Sequence, residues 1–169
     1  MRDQVIAWLA ENVSAHRLEH ILGVEQMCIQ LACCHQVDEE KAAQAGLMHD
    51  LAKFFKPSRL LQVAREAGIE IDPICAANPH LLHADVSAIV AREEFGVKDE
   101  GVLTAIRDHT LGTPLMSHLS CIVFVADALE PSRGDTPELD AMRRVSRENL
   151  YKSVQQTRDY SLRYLLNTS

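Results

Sequence analysis

Apolar residues recur every three or four positions along most of this chain, the spacing of helices that bury one face. Over residues 3–13, Val5, Ile6, Leu9 and Val13 share a face. Residues 17–35 repeat the pattern with Leu18, Ile21, Leu22, Cys28, Ile29 and Ala32, and direct Glu25 outward. Asp38 suits the N-cap of a helix running to about Ala52. Pro57 opens another at its first turn, and Gly68 stops it. "HADVSAIVAREEFG" is amphipathic and ends at Gly96, and "DEGVLTAIRDHT" follows with Asp99 as cap. "SHLSCIVFVADALE" has the β-branched content of a strand, but its length and alanines favour a buried, central helix. "TPELDAMRRV" starts with Thr136 as cap and Pro137 at the first helical position. The last segment, 147–166, turns Tyr151, Val154, Leu162 and Leu165 inward. The stretch 69–82, with Pro73, Asn78 and Pro79, is the least regular. The pattern predicts an all-α fold, a single domain over 1–169 with a helical bundle of about eight or nine helices.

The chain has 169 residues, enough for one domain with a sizeable core, and 47% are hydrophobic. Seventeen basic residues face 24 acidic ones, for a net charge of -7. Such a surface repels a polyphosphate backbone, which excludes a general nucleic-acid binder. It does not exclude a small anionic substrate, since a bound metal reverses the local field. The five cysteines are Cys28, Cys33, Cys34, Cys75 and Cys121, with no C-x-x-C pair. The first apolar run, Val5 to Ala10, is too short for a secretory core, and none reaches the ~20 residues of a membrane span. These features predict a cytoplasmic protein with no membrane partner and with mostly buried thiols.

Candidate chemistry lies in "GLMHDLAKFF", which sets His49 beside Asp50 in an apolar segment. A buried carboxylate is costly unless something pairs with it. Eight histidines are present, and several sit at predicted helix ends: His20 on the second helix, His83 opening the fifth, and His109 closing the sixth. Asp127 lies late in the apolar helix. Imidazole and carboxylate together suit Fe, Mn or Zn more than Ca or Mg. Asp50 offers two oxygens and so can bridge two metals. Plainer readings stand beside these. A lone buried His is usually a hydrogen-bonded core residue. Asp127 can simply cap its helix or pair with Arg133. His16 and His20, four apart, form a two-His face by themselves. His80 and His83 can face one site. Spacing alone does not choose among them.

The ordered set His20, His49-Asp50, His83, His109 and Asp127 resembles the HD-domain phosphohydrolase superfamily, and within it the YqeK family. The similar pieces are "RLEHILGVEQ", "AGLMHDLAKFF", "NPHLLHADVSAIVAREEFGV", "AIRDHTLGTPLMSHLSCIVFVADALEPSR" and "LDAMRRVS", covering about residues 15–165. The resemblance implies a cytoplasmic bacterial enzyme that splits diadenosine tetraphosphate symmetrically into two ADP. It also implies a dinuclear metal centre, usually taken to be iron, with Mn or Zn as alternatives, and a metal-activated water. By position, His20, His49, Asp50 and Asp127 resemble the ligands of one metal, and Asp50, His83 and His109 those of the second. Lys53, Thr110 and Arg133 fall at family positions near the phosphates, with Asp50, Arg133 and Lys53 carrying catalysis.

The chain departs from the family in "HADVSA", where a Gly-rich segment is common, at Asp108 in place of an aromatic, and at Leu111 in place of Thr. Ala84, Ser87, Asp108 and Leu111 are therefore expected to flank the pocket and set substrate preference, with Asp108 turned to solvent. Competing readings are an HD phosphohydrolase for another nucleotide (di- or triphosphate, monophosphate or cyclic), a non-catalytic metal- or nucleotide-binding HD module, and a helical structural protein with core histidines. A homodimer would use the exposed faces of the first and last helices, although no contiguous apolar stripe forces one.

Overall fold

The structure, a computed structural model, describes residues 1–168. It is all-helical: ten α-helices and two short 3-10 turns, with no strand among the described residues. They are α1 Arg2–Asn12, α2 Ala15–His35, α3 Glu39–Met48, α4 Pro57–Glu66, α5 Pro73–Ala77, α6 His83–Phe95, α7 Glu100–Asp108, α8 His118–Leu129, α9 Pro137–Glu148 and α10 Leu150–Thr168. The turns are Pro79–Leu82 and Pro131–Arg133. Caps act where the sequence places them: Asp38, Asp99 and Thr136 each accept from the backbone N–H three residues on. Gly96 closes α6 in the left-handed region at φ 68°. The extra helix is α5, a single proline-opened turn inside the irregular stretch, too short to carry an apolar period.

α8 is the axis of the bundle. Nine of its twelve residues are buried, and α2, α7 and α10 pack around it. The strand-like composition of "CIVFVADAL" reflects burial on all sides. α2 lies along α3, brought close by Gly46, whose Cβ position is 3.1 Å from the Glu25 backbone. Glu25 is not outward as its register suggests. It is 2% exposed and receives two hydrogen bonds from Arg2 of α1, at 2.8 and 2.9 Å. Pairing through a terminal arginine lies outside any helical period.

α3 stops at Met48, short of Ala52. Residues 49–54 form a run of tight turns, with Leu51 N–H to Met48 O, Lys53 N–H to Asp50 O and Phe55 N–H to Ala52 O. Ser87 of α6 accepts the Ala52 N–H at 2.9 Å, and Trp8 packs on Phe54 with ring centres 5.6 Å apart.

At the other end of the chain, Val154 is buried but Tyr151, Leu162 and Leu165 are exposed, by 61, 57 and 63%. Tyr151 meets His118 instead, its hydroxyl 3.2 Å from His118 Nε2, while Leu162 and Leu165 line a cavity rather than pack in the core. Leu166 is exposed as well. The thiols are likewise less buried than expected: Cys28 and Cys121 are inside, Cys75 is half-buried, and Cys33 and Cys34 are exposed. No described helix is long and apolar enough to cross a membrane.

Candidate metal centre

Five helices converge on one carboxylate. His20 comes from the first half of α2, His49 caps α3, and Asp50 opens the turns that follow. His83 opens α6, His109 caps α7, and Asp127 sits on α8. All but Asp127 are buried, and its side chain is 26% exposed.

Three of the four rings are oriented in the same way. Nδ1–H of His49 donates to Gly46 O, that of His83 to His80 O, and that of His109 to Ile106 O, each at 2.7 Å. Two of these acceptors belong to helix-end turns, where carbonyls lack partners. Each ring thereby has its Nδ1 proton fixed, and Nε2 is left as the atom that can turn to a metal. His20 is different: its Nδ1 lies 3.1 Å from Oε1 of Glu130, a carboxylate 1% exposed that also accepts from the Ser132 N–H and hydroxyl.

The four Nε2 atoms point at Asp50. Oδ2 of Asp50 lies 3.9 Å from His20 Nε2 and 3.4 Å from His49 Nε2, while Oδ1 lies 3.6 Å from His83 Nε2 and 3.4 Å from His109 Nε2. Asp127 Oδ1 completes the first group, 2.9 Å from His20 Nε2 and 3.3 Å from His49 Nε2. Ligand atoms of His20, His49, Asp50 and Asp127 fall within 4.8 Å of one another, as do those of Asp50, His83 and His109.

Two details fit a cation in each group. His49 Nε2 is buried with no hydrogen-bond partner. His83 and His109 bring their Nε2 atoms to 3.3 Å of one another, with both Nδ1 atoms engaged by backbone carbonyls. Two nitrogens so placed can share one positive ion.

The electrostatics agree. Burial works against a charged His49, but Asp50 and Asp127 outweigh it and raise the imidazole to about 9. Burial, with help from His109 and Lys53, lowers His83 to about 4. Burial alone would push the Asp50 carboxyl up; His49 and His109 prevail and hold it well below the usual range. Asp127 is depressed in the same way, against burial, by His20 and His49.

The remaining candidates take varied places. Arg133 stands at the rim, its Nε 2.9 Å from the Asp127 carbonyl and its Nη2 3.4 Å from Asp127 Oδ1. Asp127 therefore both pairs with Arg133 and joins the cluster. The Thr110 hydroxyl is 3.3 Å from His83 Nε2. Lys53 is exposed, near enough to act on His83. His16 is exposed and outside both groups, and His80 contributes only its carbonyl. Of the four departures, Leu111 lines a cavity beside the site, whereas Ser87 is fully buried beneath it on Ala52. Asp108 is half-buried rather than solvated and acts on Asp85 and Cys121.

Two participants escape the sequence reading. Arg17 donates to Asp50 Oδ2 at 3.1 Å. It precedes His20 by three residues on α2, so helical spacing alone carries the signal. Glu130 follows Asp127 by three, at the end of α8.

The model of the HD domain matches residues 17–132. A relative from Halalkalibacterium halodurans, named symmetrical bis(5'-nucleosyl)-tetraphosphatase, is 36% identical over 90% of this chain and 81% of its own. One of the same name from Bacillus subtilis is 33% identical over 98% of this chain and 88% of its own. A crystal structure of an HD superfamily hydrolase from Clostridium acetobutylicum, described as involved in NAD metabolism, superposes with a TM-score of 0.94 at 33% identity. It covers 99% of this chain and 88% of that one.

Proposed function

The chain belongs to the HD domain family, and from that premise we propose that it is a metal-dependent phosphohydrolase that splits diadenosine tetraphosphate symmetrically into two ADP. The observation that carries the proposal is the division of Asp50: one oxygen faces His20 and His49, the other His83 and His109. A single carboxylate serving two imidazole groups fits a dinuclear centre. The names of the two bacterial relatives support the substrate.

In this reading His20, His49, Asp50 and Asp127 hold one ion, and Asp50, His83 and His109 the other. Iron is the proposed metal, with manganese and zinc compatible with the same donors. When bound, the metals would supply Lewis-acid chemistry: activation of a water for attack on phosphorus, and neutralisation of phosphoryl charge.

The protein's own groups do the rest. Asp50 and Asp127 bring two negative charges against two divalent ions, which leaves the site net positive and attractive to a polyphosphate despite the acidic surface. Arg133, held by the Asp127 carbonyl, keeps donors at the rim for a phosphate oxygen. Thr110 offers a hydroxyl beside His83, and Lys53 an exposed positive charge. Arg17, on Oδ2 of Asp50, keeps that carboxylate aligned with the first group.

Metal-loaded protein incubated with diadenosine tetraphosphate should release ADP as the only nucleotide product by chromatography. ATP plus AMP, or no product, would overturn the symmetrical reading. A panel of mono-, di- and cyclic nucleotides separates it from other HD hydrolases.

A further inference from the structure

Two cavities open on either side of Asp127. One, of about 450 Å³, is lined by Arg133, Leu139, Tyr160 and Tyr164. The other, of about 380 Å³, is lined by Thr110, Leu111, Phe124, Arg158 and Leu162. Both include Asp127 and Ala128 of α8, and both include Ser161 and Leu165 of α10. The two cavities therefore adjoin along these α8 and α10 residues. Each volume lies in the ~300–1,000 Å³ range of small-molecule sites.

The two chambers carry matching chemistry. Each has one guanidinium, Arg133 or Arg158, and at least one aromatic ring, Tyr160 and Tyr164 or Phe124. Each also borders a different imidazole group. Arg133 lies 3.4 Å from His20 Nε2, whereas the second chamber contains His109 and the Thr110 that contacts His83. Arg158 is positioned rather than loose: its Nη2 donates to Thr113 O at 3.2 Å, and its guanidinium carbon stands 5.7 Å from the Phe124 ring centre. A guanidinium has five N–H donors, so the bond to Thr113 leaves others available for a ligand.

The geometry points to a two-chambered substrate site in which each half of a dinucleoside polyphosphate occupies one cavity, with Arg133 and Arg158 receiving the phosphates of opposite halves. This rests on the dinucleotide reading above and adds Arg158 as a substrate-binding residue. Aromatic and apolar walls suit the nucleosides, and the arginines suit phosphate oxygens bidentately. The scissile region then lies over Asp127, which both cavities share. A substrate with one half in each chamber would present its middle to that carboxylate.

The test uses the full-length, metal-loaded protein. Equilibrium dialysis with ADP should give two ADP per chain for the wild type and one for Arg158→Ala. Steady-state kinetics on diadenosine tetraphosphate should show KM raised at least tenfold in Arg158→Ala, with kcat changed far less. Leu162→Glu, a charge placed in the second chamber only, should reproduce both effects on an exposed position that does not hold the fold. One ADP per chain in the wild type, or an unchanged KM in both variants, would overturn the proposal. Wild-type protein that binds two ADP but leaves diadenosine tetraphosphate intact would instead sink the reading of the reaction and spare the chambers.

Discussion

Gly23 is glycine because Glu130 occupies the space where its side chain would be. A Cβ there would overlap Glu130 Oε2, and the atom in the way is the far end of a side chain. Gly23→Ala should therefore fold, with Glu130 pushed off His20. Loss of such an outer partner weakens metal binding about 10–100-fold. The chelated protein should melt somewhat lower too, because the displaced carboxylate gives up buried hydrogen bonds worth about 1–3 kcal/mol, against about 0.5–1 kcal/mol of helix propensity from alanine. Metal titration beside thermal melting measures both; an unchanged metal affinity in the folded variant would remove Glu130 from its orienting role. The shared ligand makes a second prediction. Asp50→Ala should lose both ions and all turnover, whereas His83→Ala should retain about one ion per chain by elemental analysis. Full activity in Asp50→Ala would exclude the dinuclear centre. The residues brought together by the fold were legible as an ordered set of His and Asp. Arg17 and Glu130 were not, because arginine and glutamate on helix surfaces are usually solvated, and only their three-dimensional neighbours mark them out.

Between Met48 and Pro57 the chain gives up a regular helix for tight turns, and this places His49 and Asp50 with separate aims. The apolar run "LMHDLA" reads as continuing helix because every residue in it is buried. What stops it is remote in sequence: Ser87 on α6 takes the Ala52 N–H that a longer helix would have used. Ser87→Ala leaves that buried donor without a partner, at a cost of about 1–3 kcal/mol. It should also slacken Asp50, so denaturant melts should shift and metal occupancy should fall together; an unchanged midpoint would mean the turns hold themselves. This serine stands in the segment that departs from the family pattern, so what read as a specificity change is in part a packing one. Helix existence and caps were legible from local signals. The inward face of α10 was not, since periodicity reports an apolar stripe without saying whether a core or a ligand chamber lies opposite.

Taken whole, the molecule gathers titratable groups of both signs at one buried site, and its stability without metal should show it. His49 is raised from 6.5 to about 9, so its bound proton favours the fold. That contribution is complete below pH 6.5 and is lost as pH rises through 9. His83 is lowered from 6.5 to about 4, so its neutral form favours the fold, and that contribution is lost as pH falls from 6.5 through 4. The depressed Asp50 and Asp127 add a further loss below their usual 3.8. Chelated protein should therefore have its highest Tm near pH 6.5 and fall off on both sides. Reloading the metal should flatten the alkaline arm, because the ion replaces the proton on His49. A chelated Tm that climbs between pH 6.5 and 9 would contradict the assignment. The backbone carbonyls of Gly46, His80 and Ile106 bear on timing as well as on strength. Three rings are already turned before any ion arrives, so loading asks no ring to turn. Uptake is then governed by how quickly a hydrated ion sheds its water and displaces the proton on His49, so an emptied protein should regain its metals faster as pH rises toward 9.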